Sequence, residues 1–185
     1  TDRQLEFLCA KPFIFGVPHF QGPLTEICDS YGIKRSFQHN LISVDGNSKE
    51  AVFKQSDKDG NTKEVTKKFD FIHVTPPQTS PDFVKNSPLA DAGGWVDVDH
   101  KVGTLRHTKF DNVYSLGDVM NAPNAKTGAA VRKQAPIVAH NIIKDINKSA
   151  DSYRHYDGYG ACPLTVAYGK VMLAEFCYAG KVTPS

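Results

Sequence analysis

The chain has almost no excess charge of either sign. Its 22 Lys and Arg stand against 20 Asp and Glu, a formal +2, and the basic residues are scattered over loops and strand edges. No basic stripe is assembled that would track a phosphate backbone, so nothing points to nucleic acid as a partner. Long apolar runs are missing too. None approaches the roughly eighteen residues that cross a bilayer, and Thr1-Asp2-Arg3-Gln4-Leu5-Glu6 lacks the charged-then-apolar plan of a signal peptide. Cysteine is sparse: Cys9, Cys28, Cys162 and Cys177 have neither paired zinc spacing nor the density of a secreted disulfide scaffold, which fits a reducing compartment. The seven histidines include no i, i+4 pair beside a carboxylate. Asp57, Asp59 and Asn61 resemble the start of a calcium loop, but Thr62 stands where glycine is required and Lys68 where the closing acid belongs. No metal is expected. No internal repeat or low-complexity tract appears.

What is present suits a soluble globular chain of 185 residues, long enough for one substantial core or for one domain and part of another. Leu5 to Cys9 and Phe13 to Phe15 read as a buried strand and its continuation. Gly22-Pro23 opens a helix in which Leu24, Ile27, Cys28 and Tyr31 recur at helical spacing, with Gly32 placed to stop it. Strand then helix predicts an α/β beginning. From Ile33 the pattern turns β-rich: Leu41 to Val44, Ala51 to Phe53, Glu64 to Thr66 and Phe69 to Val74 are predicted strands, with hairpin turns at Asp45-Gly46 and Asp59-Gly60. Thr75-Pro76-Pro77 ends that region sharply, because proline lacks an N–H and forces the preceding residue to extend. Trp95 to Val98 and Asn112 to Leu116 are predicted strands. A helix is predicted from about Lys126 to about Asn147, with Val131, Val138, Ile142 and Ile146 on one face and Pro136 inside it. Val171 to Tyr178 reads as a terminal strand.

One constellation carries chemistry. The predicted strand ending in Gly117-Asp118 leads through a loop to a helix opening at Lys126, Thr127 and Gly128. The glycine lets the backbone approach a ligand closely, and the aspartate can accept a bond from a ribose or ribityl hydroxyl. First-turn amides carry partial positive charge and suit the flavin edge where negative charge gathers on reduction, and Lys126 would add to that field. Further on, Pro163 holds Cys162 in extended backbone, and a nearby helix N-terminus would favour its thiolate. The structural alternatives are plain: a turn at Gly-Asp, a solvated lysine and an inert thiol. Cys9, Cys28 and Cys177 read as strand, helix-face and strand cysteines. Asp97 and Asp99 alternate with Val96 and Val98 as on a half-exposed strand. Tyr156, Tyr159 and Tyr168 read either as core or as the lining of a ligand pocket.

Val74-Thr-Pro-Pro77, Ser87-Pro88, Ala90-Asp-Ala-Gly-Gly-Trp-Val-Asp-Val-Asp99, Gly117-Asp118, Lys126-Thr127, Tyr156-Asp-Gly-Tyr159 and Cys162-Pro-Leu164 resemble, in order and spacing, the sulfide:quinone oxidoreductases. The resemblance covers nearly the whole chain. It implies an α/β fold, part of a flavoprotein of two dinucleotide-binding (Rossmann-like) domains, with an antiparallel β insertion. It also implies FAD contacts at Gly117, Asp118, Lys126, Thr127, Gly128 and Ala129, and Cys162 as one of two redox cysteines. In such enzymes sulfide opens the bridged cysteine pair and leaves a persulfide on one sulfur; the other thiolate acts on the flavin, and two electrons pass to quinone. The first redox cysteine, the Gly-rich FAD fingerprint and a C-terminal amphipathic membrane-docking segment of the family would lie outside these residues.

The expected organisation follows. Residues 1–77 are read as the latter part of a second nucleotide-binding-like domain with hairpins, 78–148 as the returning FAD-contact segment, and 149–185 as a truncated segment carrying the redox cysteine. Opening without Met and closing on Val182-Thr183-Pro184-Ser185, the chain reads as a piece of a peripheral membrane enzyme of the mitochondrial inner or bacterial cytoplasmic membrane. The isolated piece is expected to be soluble and inactive, to bind FAD weakly or not at all, and to self-associate through the surface left uncovered. Two competing expectations remain at this point. One is a type II NADH:quinone oxidoreductase, which shares the fold without needing the cysteines; the other is a folded interaction module with no cofactor.

Overall fold

The computed structural model describes residues 3–183, so Thr1, Asp2, Pro184 and Ser185, which figure in the readings of the two ends, lie outside the described residues. The fold is mixed α/β and divides at Pro76 and Pro77 into two compact units.

The first unit opens with the predicted strand and helix, but the strand expected to be buried is not: Leu5 is 57% and Phe7 39% exposed. Strand β1 (Leu5–Cys9), helix α1 (Gln21–Ser30) and strand β2 (Ile33–Phe37) form a right-sized βαβ crossover, in which β1 pairs parallel with β2 from Leu5 opposite Ile33 to Cys9 opposite Phe37. Phe13 to Phe15 do not continue β1 but lie in a run of bends. Strands β3 (His39–Asp45), β4 (Glu50–Ser56) and β5 (Thr62–Lys68) make an antiparallel sheet in that order. Ala51 and Phe53 alternate inward on its central strand. Both predicted turns are closed by aspartate: Asp45 Oδ1 accepts from the Asn47 N–H at 2.8 Å, and Asp57 Oδ1 accepts from the Asp59 and Asn61 N–H groups at 2.9 and 2.8 Å. Glu6 of β1 accepts from Lys67 of β5 at 3.1 Å and from Ser36 of β2.

Phe69 to Val74 is not a strand, and Phe71 is 86% exposed. Pairing stops at Lys68, where the Phe69 N–H closes the hairpin onto the Lys49 carbonyl, and among the described residues no further strand edge meets the run. A β-type sequence becomes a strand only where such an edge exists.

The second unit is organised by bridges and one long helix. After a short helix α2 (Asp82–Lys85), single β-bridges join Ala90 to Val96, Val96 to Met120, Val98 to His107 and Arg106 to Tyr114. The predicted strands at Trp95–Val98 and Asn112–Leu116 are reduced to these bridges, although Val96 and Val98 still alternate inward. Helix α3 (Gly128–Asn147) then runs through Pro136, and strands β6 (Gly160–Ala167) and β7 (Lys170–Phe176) form an antiparallel hairpin. Cys177 falls one residue past β7, at the start of a 3-10 turn, rather than within a strand. Val84, Val96, Val98, Leu105, Met120, Ala122, Val138 and Tyr156 form the core.

The buried stripe of α3 differs from the predicted one. Ala130, Gln134, Val138 and Asn141 face inward, while Ile142 and Ile146 are 37% and 74% exposed. Two polar side chains hold that face because each is matched: Asn141 Nδ2 donates to the carbonyls of Thr104 and Arg154 at 3.1 and 2.9 Å, and its Oδ1 accepts from the Arg154 N–H at 2.8 Å. No helix among the described residues is both long and apolar enough to cross a membrane.

Candidate functional site

Leu116 arrives in extended geometry, and Gly117 turns the chain at φ +78°, a left-handed conformation that a side chain would strain. The Gly117 N–H donates to Oε1 of Gln134 at 2.8 Å, which fastens the turn to the second turn of α3. Asp118 projects from that turn as an exposed residue.

Lys126 does not sit in solvent. Its ammonium donates to the carbonyl oxygens of Asp118 and Met120, the latter at 2.8 Å, and lies 4.0 Å from the centroid of the Trp95 ring. Burial pulls its pKa below the ordinary lysine value, an effect opposed by the negative charges of Asp118 and Asp91.

The helix begins two residues later than its predicted start. Thr127 is the N-cap, extended at φ −129° and ψ 154°, and its hydroxyl oxygen accepts from the Ala130 N–H at 3.2 Å. Gly128 and Ala129 occupy the first turn, where helix geometry offers their N–H groups no intrahelical acceptor. Open space surrounds Gly128: a Cβ placed there would meet nothing within 4 Å.

Strand β6 starts against this cap. A Cβ on Gly160 would lie 3.5 Å from the Ala125 Cβ and 3.7 Å from the Thr127 hydroxyl oxygen. Cys162 is two residues further along, on the same face of β6 as Gly160, and pairs with Ala174, which has no exposed surface. Its thiol is half-buried, and burial pushes its pKa up. The extended backbone expected beside Pro163 is present. The depressed thiol pKa expected of a helix N-terminus is not: burial is the one influence on Cys162, and it acts the other way.

Gly117, Asp118, Lys126, Thr127, Gly128, Ala129 and the start of β6 are therefore gathered at the N-terminal end of α3. The three tyrosines are dispersed. Tyr156 is a core residue whose hydroxyl accepts from Asn124 Nδ2 at 2.8 Å and donates to the Tyr159 carbonyl, Tyr159 bonds Glu175, and Tyr168 is fully exposed. Sequence reasoning missed Trp95 and Gln134. Trp95, marked in the sequence as the one tryptophan and as part of the Ala90 to Asp99 run, carried no site role there, and nothing in the helical periodicity marks Gln134.

A groove of about 880 Å³ lies at the opposite end of α3, lined by Tyr114, Asp145, Arg106, Ile142 and Ile146 among others. A helix of this length spans roughly 30 Å, so that groove is separate from the gathered residues.

No protein-family profile matches the chain. Among curated proteins it is 45% identical over 184 residues to the mitochondrial sulfide:quinone oxidoreductase of Dictyostelium discoideum, covering 98% of this chain and 39% of that protein. It is 42% identical over 175 residues to the mitochondrial sulfide:quinone oxidoreductase of Mus musculus, covering 95% of this chain and 38% of that one. The chain thus spans about two fifths of the relatives it matches. Among solved structures, a chain of the Tetrahymena thermophila mitochondrial ATP synthase assembly matches with a TM-score of 0.80 at 22% identity, over 96% of this chain and 42% of that one. The sulfide:quinone oxidoreductase of Aquifex aeolicus matches with a TM-score of 0.71 at 20% identity, over 92% of this chain and 42% of that one. At these identities the two structures speak for the fold alone.

Proposed function

We propose that this chain, similar along nearly its whole length to proteins named sulfide:quinone oxidoreductase, is a segment of an FAD-dependent enzyme of that activity. The observation that carries the reading is the 45% identity over 184 residues. The gathering of the site residues at the start of α3 supports it. In this reading the parent is a two-domain Rossmann-like flavoprotein. Residues up to Pro77 belong to its second nucleotide-binding-like domain with a β insertion, 78–148 form the returning FAD-contact segment, and the remainder carries the redox cysteine. The parent works at a membrane, in keeping with a quinone partner, and the relatives are named as mitochondrial.

The residues fit a flavin. The exposed Asp118 carboxylate is an acceptor suited to hydroxyl groups of a cofactor chain. Unpaired Gly128 and Ala129 amides at the positive end of a 20-residue helix suit an electron-rich ring edge, and the absence of a side chain at Gly128 keeps the approach open. When bound, FAD would accept two electrons and hand them on to quinone. Gly117 and Gln134 hold the turn, Thr127 caps the helix, and Asp118 orients what binds there. Cys162 supplies one sulfur of the reacting pair, on a strand that starts against the cap. Because burial raises this thiol's pKa, its activation is assigned to groups contributed by the rest of the parent.

Cys162→Ser in the full-length protein tests the reading. Sulfide-dependent quinone reduction is expected to collapse while FAD stays bound. Turnover at the wild-type rate would remove the role given to Cys162.

A further inference from the structure

Lysines at cofactor sites are commonly read as charge donors, and the position of Lys126 just ahead of a helix invites that reading. Its geometry denies it. An ammonium has three N–H groups. Two are taken by the carbonyl oxygens of Asp118 and Met120, and the remaining side of the ammonium rests 4.0 Å from the Trp95 ring centroid, within cation–π range. The side chain is half-buried, and its cost of desolvation shows in the lowered pKa. Two of its three donors and one flank of the ammonium are thus engaged by its own chain.

The groups it holds are telling. Asp118 lies within the 3-10 turn Gly117–Val119 and Met120 leaves its end in extended geometry, itself fixed to the core by the bridge with Val96, next to Trp95. Lys126 thus ties three things together: the Asp118 turn, the Trp95 to Val98 run, and the loop entering the α3 cap. Apart from the Gln134 bond to the Gly117 N–H, it is the only side chain among the described residues that bonds the backbone of that turn.

We propose that Lys126, seated on Trp95, is a positioning residue: it clamps the Asp118–Met120 turn so that the Asp118 carboxylate and the first-turn amides of α3 present a fixed pair of contacts to the flavin. The proposal rests on the flavin reading above. Its consequence is that Lys126 governs how tightly flavin binds and leaves its redox potential alone. A lysine acting through its charge would do the reverse, since removing a cation near the ring would destabilise the reduced, more negative flavin and lower the potential.

The test uses the full-length protein carrying Lys126→Met, Lys126→Arg, Trp95→Leu or Trp95→Phe. FAD affinity, the midpoint potential of the bound flavin at saturating FAD, and the melting temperature are measured. Lys126→Met loses two charge-assisted bonds and is expected to weaken FAD binding at least about tenfold. Lys126→Arg, which keeps the charge and the donors, restores most of the loss. Trp95→Leu weakens binding about fivefold through loss of the aromatic seat, and Trp95→Phe by less. The potential is expected to match wild type in every variant.

Four results would overturn the clamp. A lowered potential in Lys126→Met with unchanged affinity makes the lysine a charge donor. A lowered melting temperature with wild-type affinity, measured well below melting, makes its role one of fold stability alone. Should Lys126→Met fail to fold, Trp95→Leu decides, and wild-type affinity there overturns the proposal. A wild-type protein that takes up no FAD removes the flavin reading and the clamp with it, and is thereby told apart from a clamp that fails in a protein that binds flavin.

Discussion

The Gly117 N–H and the Gln134 side-chain oxygen meet at 2.8 Å, and Gln134 is 1% exposed. A buried amide thus replaces the strand neighbour that Gly117 lacks, and joins the turn carrying Asp118 to the helix whose start lies beside it. Gln134→Leu would keep the bulk and strand the Gly117 N–H. The expected cost is about 1–3 kcal/mol of stability, read from denaturant unfolding of the full-length protein. A loss of FAD affinity should accompany it.

Asn141 makes three bonds to the backbone of Thr104 and Arg154 with no surface exposed. Asn141→Leu is expected to destabilise by about 3 kcal/mol, because three backbone groups lose partners that water cannot replace. Hydrogen exchange at the Arg154 amide should rise with it, and an unchanged rate there would contradict the account.

At Gly158, φ is +85°, and a Cβ would stand 2.2 Å from Cδ1 of Tyr178, a ring packed edge-on against Tyr156. Gly158→Ala therefore combines backbone strain with overpacking and should cost about 2–5 kcal/mol. Pairing it with Tyr178→Ala relieves the overpacking part, which a double-mutant cycle measures.

Cys162 should be a slow thiol in the isolated chain. Its pKa is raised above the reference 9.0 by burial, so little thiolate exists at neutral pH. Alkylation of Cys162 in the isolated chain, followed by peptide mass spectrometry, is expected to be slow at neutral pH and to accelerate as pH rises past 9.0. Fast alkylation at neutral pH would mean that these residues activate the thiol unaided.

Asp145 accepts from the hydroxyls of Tyr114 and Tyr153, each at 2.6 Å, and the Tyr114 bond, then the Tyr153 bond, holds its carboxyl below the reference value of 3.8. A carboxyl with a depressed folded pKa adds stability above its unfolded value, and that stability is lost as pH falls through the folded one. The C-terminal turns of α3 are thus expected to loosen below about pH 4. Asp145→Asn should lower stability at neutral pH and flatten this acid-side slope, as thermal melts across pH would record.

Periodicity and turn chemistry made much of this fold legible. The opening strand and helix, the hairpins closed by Asp45 and Asp57, and the helix ending at Asn147 all announce themselves through local signals that tertiary context did not override. The failures share a cause. Phe69 to Val74 has strand chemistry but no edge to join, and Ile142 and Ile146 lie off a stripe held by Gln134 and Asn141, whose burial depends on distant backbone groups. Lys126 was legible as a residue of the site, yet its partners are brought to it by folding, and no spacing rule reports that two carbonyls and an indole will converge on one ammonium.

The β6–β7 hairpin has a further consequence. Cys162 shares a face with the fully buried Ala174, while Pro163 and Leu173, one step away, share the exposed one. Side chains alternate with a period of two, so sliding the pairing by a single residue exchanges the faces. An insertion or deletion at Tyr168-Gly169, in the tip of the hairpin, that slid β7 by one residue would therefore set Leu173 or Glu175, in place of Ala174, opposite Cys162. The surroundings of the thiol hang on counting: the length of a turn decides which neighbour it meets across the hairpin.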